Sequence, residues 1–215
     1  MERAREWELR DSAGYTLPTD GQHIRMIYNL SSHQDLSTTR MAFYVADSYR
    51  LQTPSGYFAF NGGLRFSYWD FNKEFLISPR LNVAFVPERN SSLTLRFATG
   101  LYYQQPFYKE FRQPLTDAEG NTTINLNSEI KSQQSLHFIL GGDYTFRMFN
   151  RPFKLSAEAY YKKLNKLIPY EIDNLKVVYE GVNLTDGYTT GLDFKLFGQF
   201  VPGTDSWISF SLMKT

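Results

Sequence analysis

The sequence predicts an all-β protein. The expected architecture is an antiparallel, up-and-down transmembrane β-barrel segment of about nine long strands, an open curved sheet because the barrel is incomplete. Three observations predict it. Bulky apolar residues recur at every second position almost throughout, which gives a strand one apolar face. Most runs are about twice as long as the roughly 5–6 residues of an ordinary globular strand. The connections between them alternate between short turns and long loops, the habit of outer-membrane barrels.

In chain order, the first strand is expected at Glu2–Ser12. Thr38–Leu51 follows, with Met41, Phe43, Val45 and Tyr49 on one face. Tyr57–Asp70 aligns Phe58, Phe60, Leu64, Phe66 and Tyr68, and Phe75–Val86 aligns Ile77, Leu81, Val83 and Phe85. Ser92–Tyr103 sets Leu93, Leu95, Phe97, Leu101 and Tyr103 together. Ser132–Arg147 contributes Leu136, Phe138, Leu140, Tyr144 and Phe146; Pro152–Ile172 contributes Phe153, Leu155, Ala157, Ala159 and Tyr161. Thr185–Phe200 carries Tyr188, Leu192, Phe194, Leu196 and Phe200, and Ser206–Thr215 ends the set with Ile208, Phe210 and Leu212. The opposite face reads as a wet lumen: Arg65, Arg80, Asn82, Arg96, His137, Asp143, Lys154, Glu158, Lys162, Asp193, Lys195 and Gln199, among many small residues.

Aromatics cluster at the strand ends. Tyr49, Phe58, Phe85, Phe146, Phe153 and Phe200 border short turns, and Tyr68, Phe75, Tyr103, Tyr161 and Tyr188 border the other ends. Phe58 to Tyr68 spans roughly 33 Å of strand. Tilted by about 45°, that is about 23 Å of height, close to the roughly 25 Å apolar band between aromatic girdles. The connections "QTPSG", "PERNS", "MFNR" and "VPGTD" are short and rich in turn formers. They fall on one rim; the other rim carries the long loops, with Asp70–Glu74 as the exception. Asp47 shares the parity of Val45 and Tyr49. Either it faces lipid near the interface, where an acid is less costly than at the midplane, or a bulge reorients it.

Composition narrows the function. The 215 residues carry a net charge of +1, 17% aromatics with Phe 18 and Tyr 15, and no cysteine. The mean hydropathy of −0.42 and the lack of a long apolar run exclude membrane helices. Mixed charge argues against a nucleic-acid partner, and the absence of cysteine excludes disulfides and thiolate metal sites. "MERAREWELRDSAG" lacks the apolar core of a signal peptide; a protein working beyond the inner membrane would then be part of a longer precursor. The whole of 1–215 reads as part of a single barrel domain, with neither plug nor signal peptide.

No Walker, G-x-S-x-G or dinucleotide motif is present, so no catalytic residue, no metal and no cofactor is expected, and the protein is not expected to be an enzyme. "DAEGNTTINLNSE" resembles a calcium loop through Asp117, Glu119 and Asn121, but Thr122 and Ser128 stand where Gly and Glu belong. A solvated loop is the better reading. His23, His33 and His137 lack ligand spacing. Asp143 and Glu158 share a face and read as counter-ions to Arg and Lys. "YYQQPFYKEFR" is the candidate recognition surface: Tyr102, Tyr108 and their neighbours offer flat amphipathic faces, and Gln104, Gln105, Lys109 and Arg112 offer hydrogen bonds. The same residues equally suit an interface girdle and loop base.

"ISPRLNVAFVP", "LTLRFATGLYYQQPFYKE", "KLSAEAYYKKLNKLIPY" and "GYTTGLDFKLFGQF" followed by "SWISFSL" resemble successive barrel strands of TonB-dependent outer-membrane receptors, most closely of the Bacteroidetes type. That resemblance implies a barrel of about 22 strands in the bacterial cell outer membrane, closed by a plug and energised through TonB. The implied partners are outer-membrane lipid, the plug and remaining strands, TonB indirectly through the plug, and a small-molecule or glycan ligand. The implied function is energised uptake of a scarce solute such as a siderophore, a cobalamin-like compound or a glycan. A soluble lipocalin-like barrel, with its apolar face inward, is the alternative. A passive porin and an outer-membrane enzyme are more distant ones.

Overall fold

A computed structural model describes residues 2–12, 29–116, 122–173 and 176–215. In chain order these form β1 (Glu2–Ser12), β2 (Asn29–Thr38), β3 (Arg40–Thr53), β4 (Gly56–Trp69), β5 (Glu74–Pro87) and β6 (Leu93–Gln104). A short 3-10 turn (Tyr108–Glu110) precedes β7 (Arg112–Thr116), β8 (Thr122–Leu126), β9 (Gln133–Met148) and β10 (Arg151–Leu167). The chain ends with β11 (Tyr170–Asp173), β12 (Lys176–Tyr179), β13 (Thr185–Val201) and β14 (Thr204–Lys214).

Eight strands form one antiparallel wall in the order β3-β4-β5-β6-β9-β10-β13-β14. The wall does not close: β3 and β14 are its edges. Three two-stranded ribbons, β1–β2, β7–β8 and β11–β12, are inserted where β3 begins and in the long connections β6–β9 and β10–β13. All three belong to the long-loop rim. The other rim has only tight turns. At one of them Phe149 and Asn150 both take φ near +55° (53° and 60°), the backbone of a type I′ hairpin turn.

The observed strands depart from expectation in three places. Glu2–Ser12 does not join the wall; it pairs with Asn29–Thr38, with Glu2 opposite Thr38 and Ser12 opposite Asn29. The expected loop before the second strand therefore holds a strand of its own. The expected strand Pro152–Ile172 ends at Leu167. Register shifts between Leu164 and Leu167, Lys166 takes φ 57°, and Pro169 cannot donate to a ladder. The loops after β6 and β10 contain ribbons where continuous loop was expected.

The apolar face is open to the surroundings. Met41, Phe43, Phe75, Leu140 and Ile208 are each at least 60% exposed. Phe60, Leu81 and Phe97 do not close over a common interior: Leu81 and Phe97 remain 40% and 39% exposed. Asp47 keeps its place on this face. The β3–β4 register runs unbroken from Arg40↔Trp69 to Thr53↔Gly56, so no bulge turns it. Its carboxylate accepts the Ser48 N–H at 2.8 Å.

One seam in the wall is incomplete. β4 and β5 pair along their whole length, up to Trp69↔Glu74. β6 pairs with β9 up to Gln104↔Gln133. Between β5 and β6 the ladder stops at Arg80↔Gly100. The next residue toward the long-loop rim is Pro79, which lacks the N–H needed to continue.

This surface dictates the behaviour of the isolated chain. With an apolar band and two strand edges exposed, it is expected to stay dispersed only in detergent. Size-exclusion chromatography checks this, and a monodisperse monomer in plain buffer contradicts it.

Candidate functional site: the lumen face and its outer rim

The buried hydrophobic cluster of the described residues lies at the long-loop rim. Trp69, Phe111, Ile130 and Ile168 form one cluster, flanked by Leu36, Phe71, Tyr108, Leu126 and Tyr179. Trp69 packs tilted against Phe71 and edge-on against Phe111, at 5.1 and 5.7 Å between ring centroids. Polar side chains tie the loops together around it. Asn72 donates to the Ile130 carbonyl at 2.8 Å. Glu74 accepts the Ser132 N–H and hydroxyl at 2.9 and 2.5 Å. Asn127 donates to the Gly181 carbonyl, and Asn183 to the carbonyls of Lys131 and Lys166. The result is a braced cap rather than a set of independent loops.

The junction between β2 and β3 is held by Asp70. Its carboxylate accepts the Thr38 hydroxyl and, through both oxygens, the Thr39 N–H at 2.9 Å. Its own N–H donates to the Thr39 carbonyl at 3.2 Å. The Thr38 hydroxyl also accepts the Trp69 indole N–H at 2.7 Å. These bonds explain why the extended chain breaks at Thr39 yet passes directly from ribbon to wall.

On the lumen face two polar clusters form. The first lies nearer the short turns. Arg96 on β6 and Glu158 on β10 flank Gly141 on β9 in one row. A Cβ on Gly141 would stand 2.9 Å from the Glu158 side chain. The missing side chain lets Arg96 reach Glu158 at 2.9 Å and Asp143 at 3.3 Å. Lys154 and Ser156 also contact Asp143, at 3.4 and 2.6 Å. Asp193 and Lys195 line the same cavity, of about 270 Å³. Lys195 lies over the Phe197 and Trp207 rings at 4.3 and 4.7 Å. Arg96, Lys154 and Lys195 thus stand against Asp143, Glu158 and Asp193, and the cluster is neutral.

The second cluster lies below the cap. Arg40, Arg65 and Arg80 line a cavity of about 280 Å³ with Ser67, Ser78 and Gln105. Arg40 packs over Trp69 at 4.3 Å and donates to the Pro106 carbonyl at 3.2 Å. Arg80 packs over the Tyr102 ring at 4.5 Å, and that ring stacks on His137 at 4.4 Å. A larger cavity, about 560 Å³, is elsewhere, on the apolar face between Phe97 and Leu212, where lipid chains would fill it.

The structure divides the residues singled out in the sequence. Tyr102 and Gln105 come together with Arg65 and Arg80. Gln104 is exposed at the strand end, and Lys109 is exposed in the 3-10 turn. Tyr108 packs edge-on against Phe111 at 5.5 Å, as part of the cap. Arg112 opens β7, away from the cavity lining. Arg40, Ser67 and Ser78 were not singled out. The available signal was Pro79 inside a strand, which marks an interrupted ladder. Asp117, Glu119, Asn121 and His23 lie outside the described residues. Among the described residues no group of His, Cys, Asp or Glu is arranged to hold a metal, and no helix is long and apolar enough to cross a membrane.

A family model described as TonB dependent receptor-like, beta-barrel, matches residues 3–213. No curated protein matches the chain.

The Asp70 junction has a pH dependence. The Thr38 hydroxyl, then the Thr39 N–H, hold the Asp70 carboxyl below its ordinary value. A depressed carboxylate stabilises the fold above its unfolded pKa, and that contribution is lost as pH falls through the folded value. Below about pH 4 the β2–β3 junction is therefore expected to loosen. Amide hydrogen exchange at Thr39 and Asp70 checks this. Asp70→Asn should raise exchange at neutral pH and remove its acid dependence.

Proposed function

Since the chain belongs to the TonB-dependent receptor-like β-barrel family, whose barrels sit in the outer membrane, we propose that it supplies wall, lumen lining and outer loops to a receptor for energised uptake of a scarce solute. Residues 1–215 act as part of a single barrel domain, completed by further strands and a plug. TonB acts through that plug. The loops capture the solute, which binds above the plug and passes inward when the plug moves. The quoted strand segments favour a receptor of the Bacteroidetes type, and a siderophore, a cobalamin-like compound or a glycan as cargo.

The observation that carries this reading is the two-faced open wall. One face is apolar and exposed, with aromatics at both ends of the strands; the other carries ion pairs. Lipid satisfies the first face and a water-filled lumen the second. A soluble lipocalin needs the opposite arrangement, with the apolar face around a closed interior. A porin shares the wall, and the family match favours the receptor over it.

Two measurements test the reading. The chain has no cysteine, so single-cysteine labelling is clean. In intact cells making the full-length receptor, Ser128→Cys on the long-loop rim should react with a membrane-impermeant maleimide. Asn150→Cys on the short-turn rim should react only after permeabilisation. Reversed labelling would overturn the orientation.

The second compares adjacent residues on β6. Phe97 is on the apolar face opposite Val83 and Leu140, and Ala98 is on the lumen face opposite Asn82. Phe97→Arg should lower folding stability in lipid vesicles by about 2–4 kcal/mol. Ala98→Arg keeps its guanidinium in water and should have the smaller effect. Denaturant midpoints decide, and the opposite ranking contradicts the face assignment.

A further inference from the structure

The two lumen clusters differ in a way that the uptake reading alone does not explain. Near the short turns, three cations face three anions. Below the cap, the cavity lined by Arg40, Arg65 and Arg80 has no acidic side chain in its lining. Arg65 and Arg80 make no ion pair with any described residue. The other polar lining groups can also donate. Ser67 and Ser78 offer hydroxyls, and the Gln105 side-chain Nε2 is buried with no hydrogen-bond partner.

The cavity is built by the backbone. Pro79 ends the β5–β6 ladder at Arg80, so the two strands separate toward the long-loop rim. Ser78, Tyr103 and Gln105 line the space. Arg80 is fixed from below. A Cβ on Gly100 would fall 2.9 Å from the Tyr102 ring and 3.2 Å from the Arg80 side chain. The absence of that carbon lets Tyr102 lie flat on the wall and carry the guanidinium. Arg40 is held from above by Trp69 and the Pro106 carbonyl. Two of the three guanidiniums are thus positioned before any ligand arrives.

The planar guanidiniums of Arg65 and Arg80, with no counter-ion among the described residues, match the geometry and charge of oxyanions, which such groups hold through paired, charge-assisted hydrogen bonds. Amide and hydroxyl donors complete such a shell. We propose that this cavity is a binding site for a multiply charged oxyanion, a polycarboxylate or phosphate group carried by the transported solute. The proposal rests on the uptake reading and adds the chemical class of the cargo. The location suits it: the site lies on the lumen face immediately under the outer cap, where a solute captured by the loops arrives first. The neutral cluster lies farther in and has no charge left to offer.

The test uses the purified full-length receptor in detergent, with tricarballylate and pyrophosphate as probes and maltohexaose as a neutral control. Titration calorimetry should detect binding of at least one anion, weakened by added salt, and none of the sugar. The preferred probe distinguishes carboxylate from phosphate cargo. Arg65→Gln and Arg80→Gln should each weaken anion binding on the order of tenfold. Arg65→Lys and Arg80→Lys, which keep the charge but lose the fork, should fall between. Arg147→Gln, near a short turn, should bind as the parent does. Surface labelling at Ser128→Cys in the same variants reports assembly independently. If a correctly labelled receptor binds neither anion, or binds one unchanged by both Arg→Gln variants, this inference is overturned while the receptor reading stands. Failed labelling of the parent would instead count against the receptor reading itself.

Discussion

Hydrogen bonding of a backbone in a medium without water is the constraint on which the rest of this structure depends. In hydrocarbon an unsatisfied N–H or C=O costs several kcal/mol, so a spanning strand must be paired along its length. The β9–β10 ladder runs from Arg151↔Met148 to Asn165↔Gln134 without interruption. The β4–β5 ladder is equally complete. Register shifts in the wall lie toward the rims, at Gly198/Val201 and Leu164/Leu167, and the β5–β6 ladder, which stops at Arg80↔Gly100, is the exception within the strands. Even at the open edge of β3, the Ser48 N–H finds an acceptor in the Asp47 side chain. An acid on the apolar face thus has a local role that alternation alone does not reveal.

Once the wall is fixed by pairing, its side chains cannot make a core. Strict alternation sends Leu and Phe to one side and charges to the other, so neither face has a second layer to bury against. Hydrophobic burial is displaced to the long-loop rim. Trp69, the last residue of β4, has no exposed surface, and Phe111 and Ile130 from the next long loop are each 1% exposed. Burying aromatic side chains of this size contributes about 1.5–3 kcal/mol apiece. That offsets the entropy of ordering segments that lie outside the regular ladder. The cap is therefore the globular part of a protein whose wall is not globular, and it presents a preformed surface above the lumen.

The wall was legible in the sequence because its signal is periodic. Phe58 to Tyr68 and Leu93 to Tyr103 could be assigned to a face without knowing what lay beside them. The outer rim was less legible, because its order comes from contacts between distant segments. Nothing local marks Tyr108 as a cap residue; its partner, Phe111, and the Trp69 beneath belong to a cluster drawn from three connections. Asn29–Ser37 reads as loop because its polar run has no apolar alternation, and its strand character comes from pairing with Glu2–Ser12. Arg40 is not legible as a site residue because it stands at the first wall position, where only the break at Thr39 shows which way it serves. Pro79 is the one local sign of the site. A proline inside an otherwise good strand signals an interrupted ladder, and the interruption here is where the arginines gather.

Glycine placement turns this wall into a site. Across a sheet, side chains on strands one apart are separated by the strand between, about 9–10 Å at the usual spacing. Arg96 and Glu158 nonetheless touch, because Gly141 on the intervening strand leaves its position empty. Gly100 acts between direct neighbours: paired with Arg80, it leaves room for the Tyr102 ring of its own strand to lie under the guanidinium. One gap neutralises a cation and the other fixes it over an aromatic ring without neutralising it. The difference is not in the cations but in what the neighbouring strand offers: Glu158 opposite Gly141, and His137 opposite Gly100. Charge left unbalanced in the lumen is thus written into the cross-strand register, and a shift of β9 by one residue would exchange its two faces and remove the Arg96–Glu158 contact across Gly141.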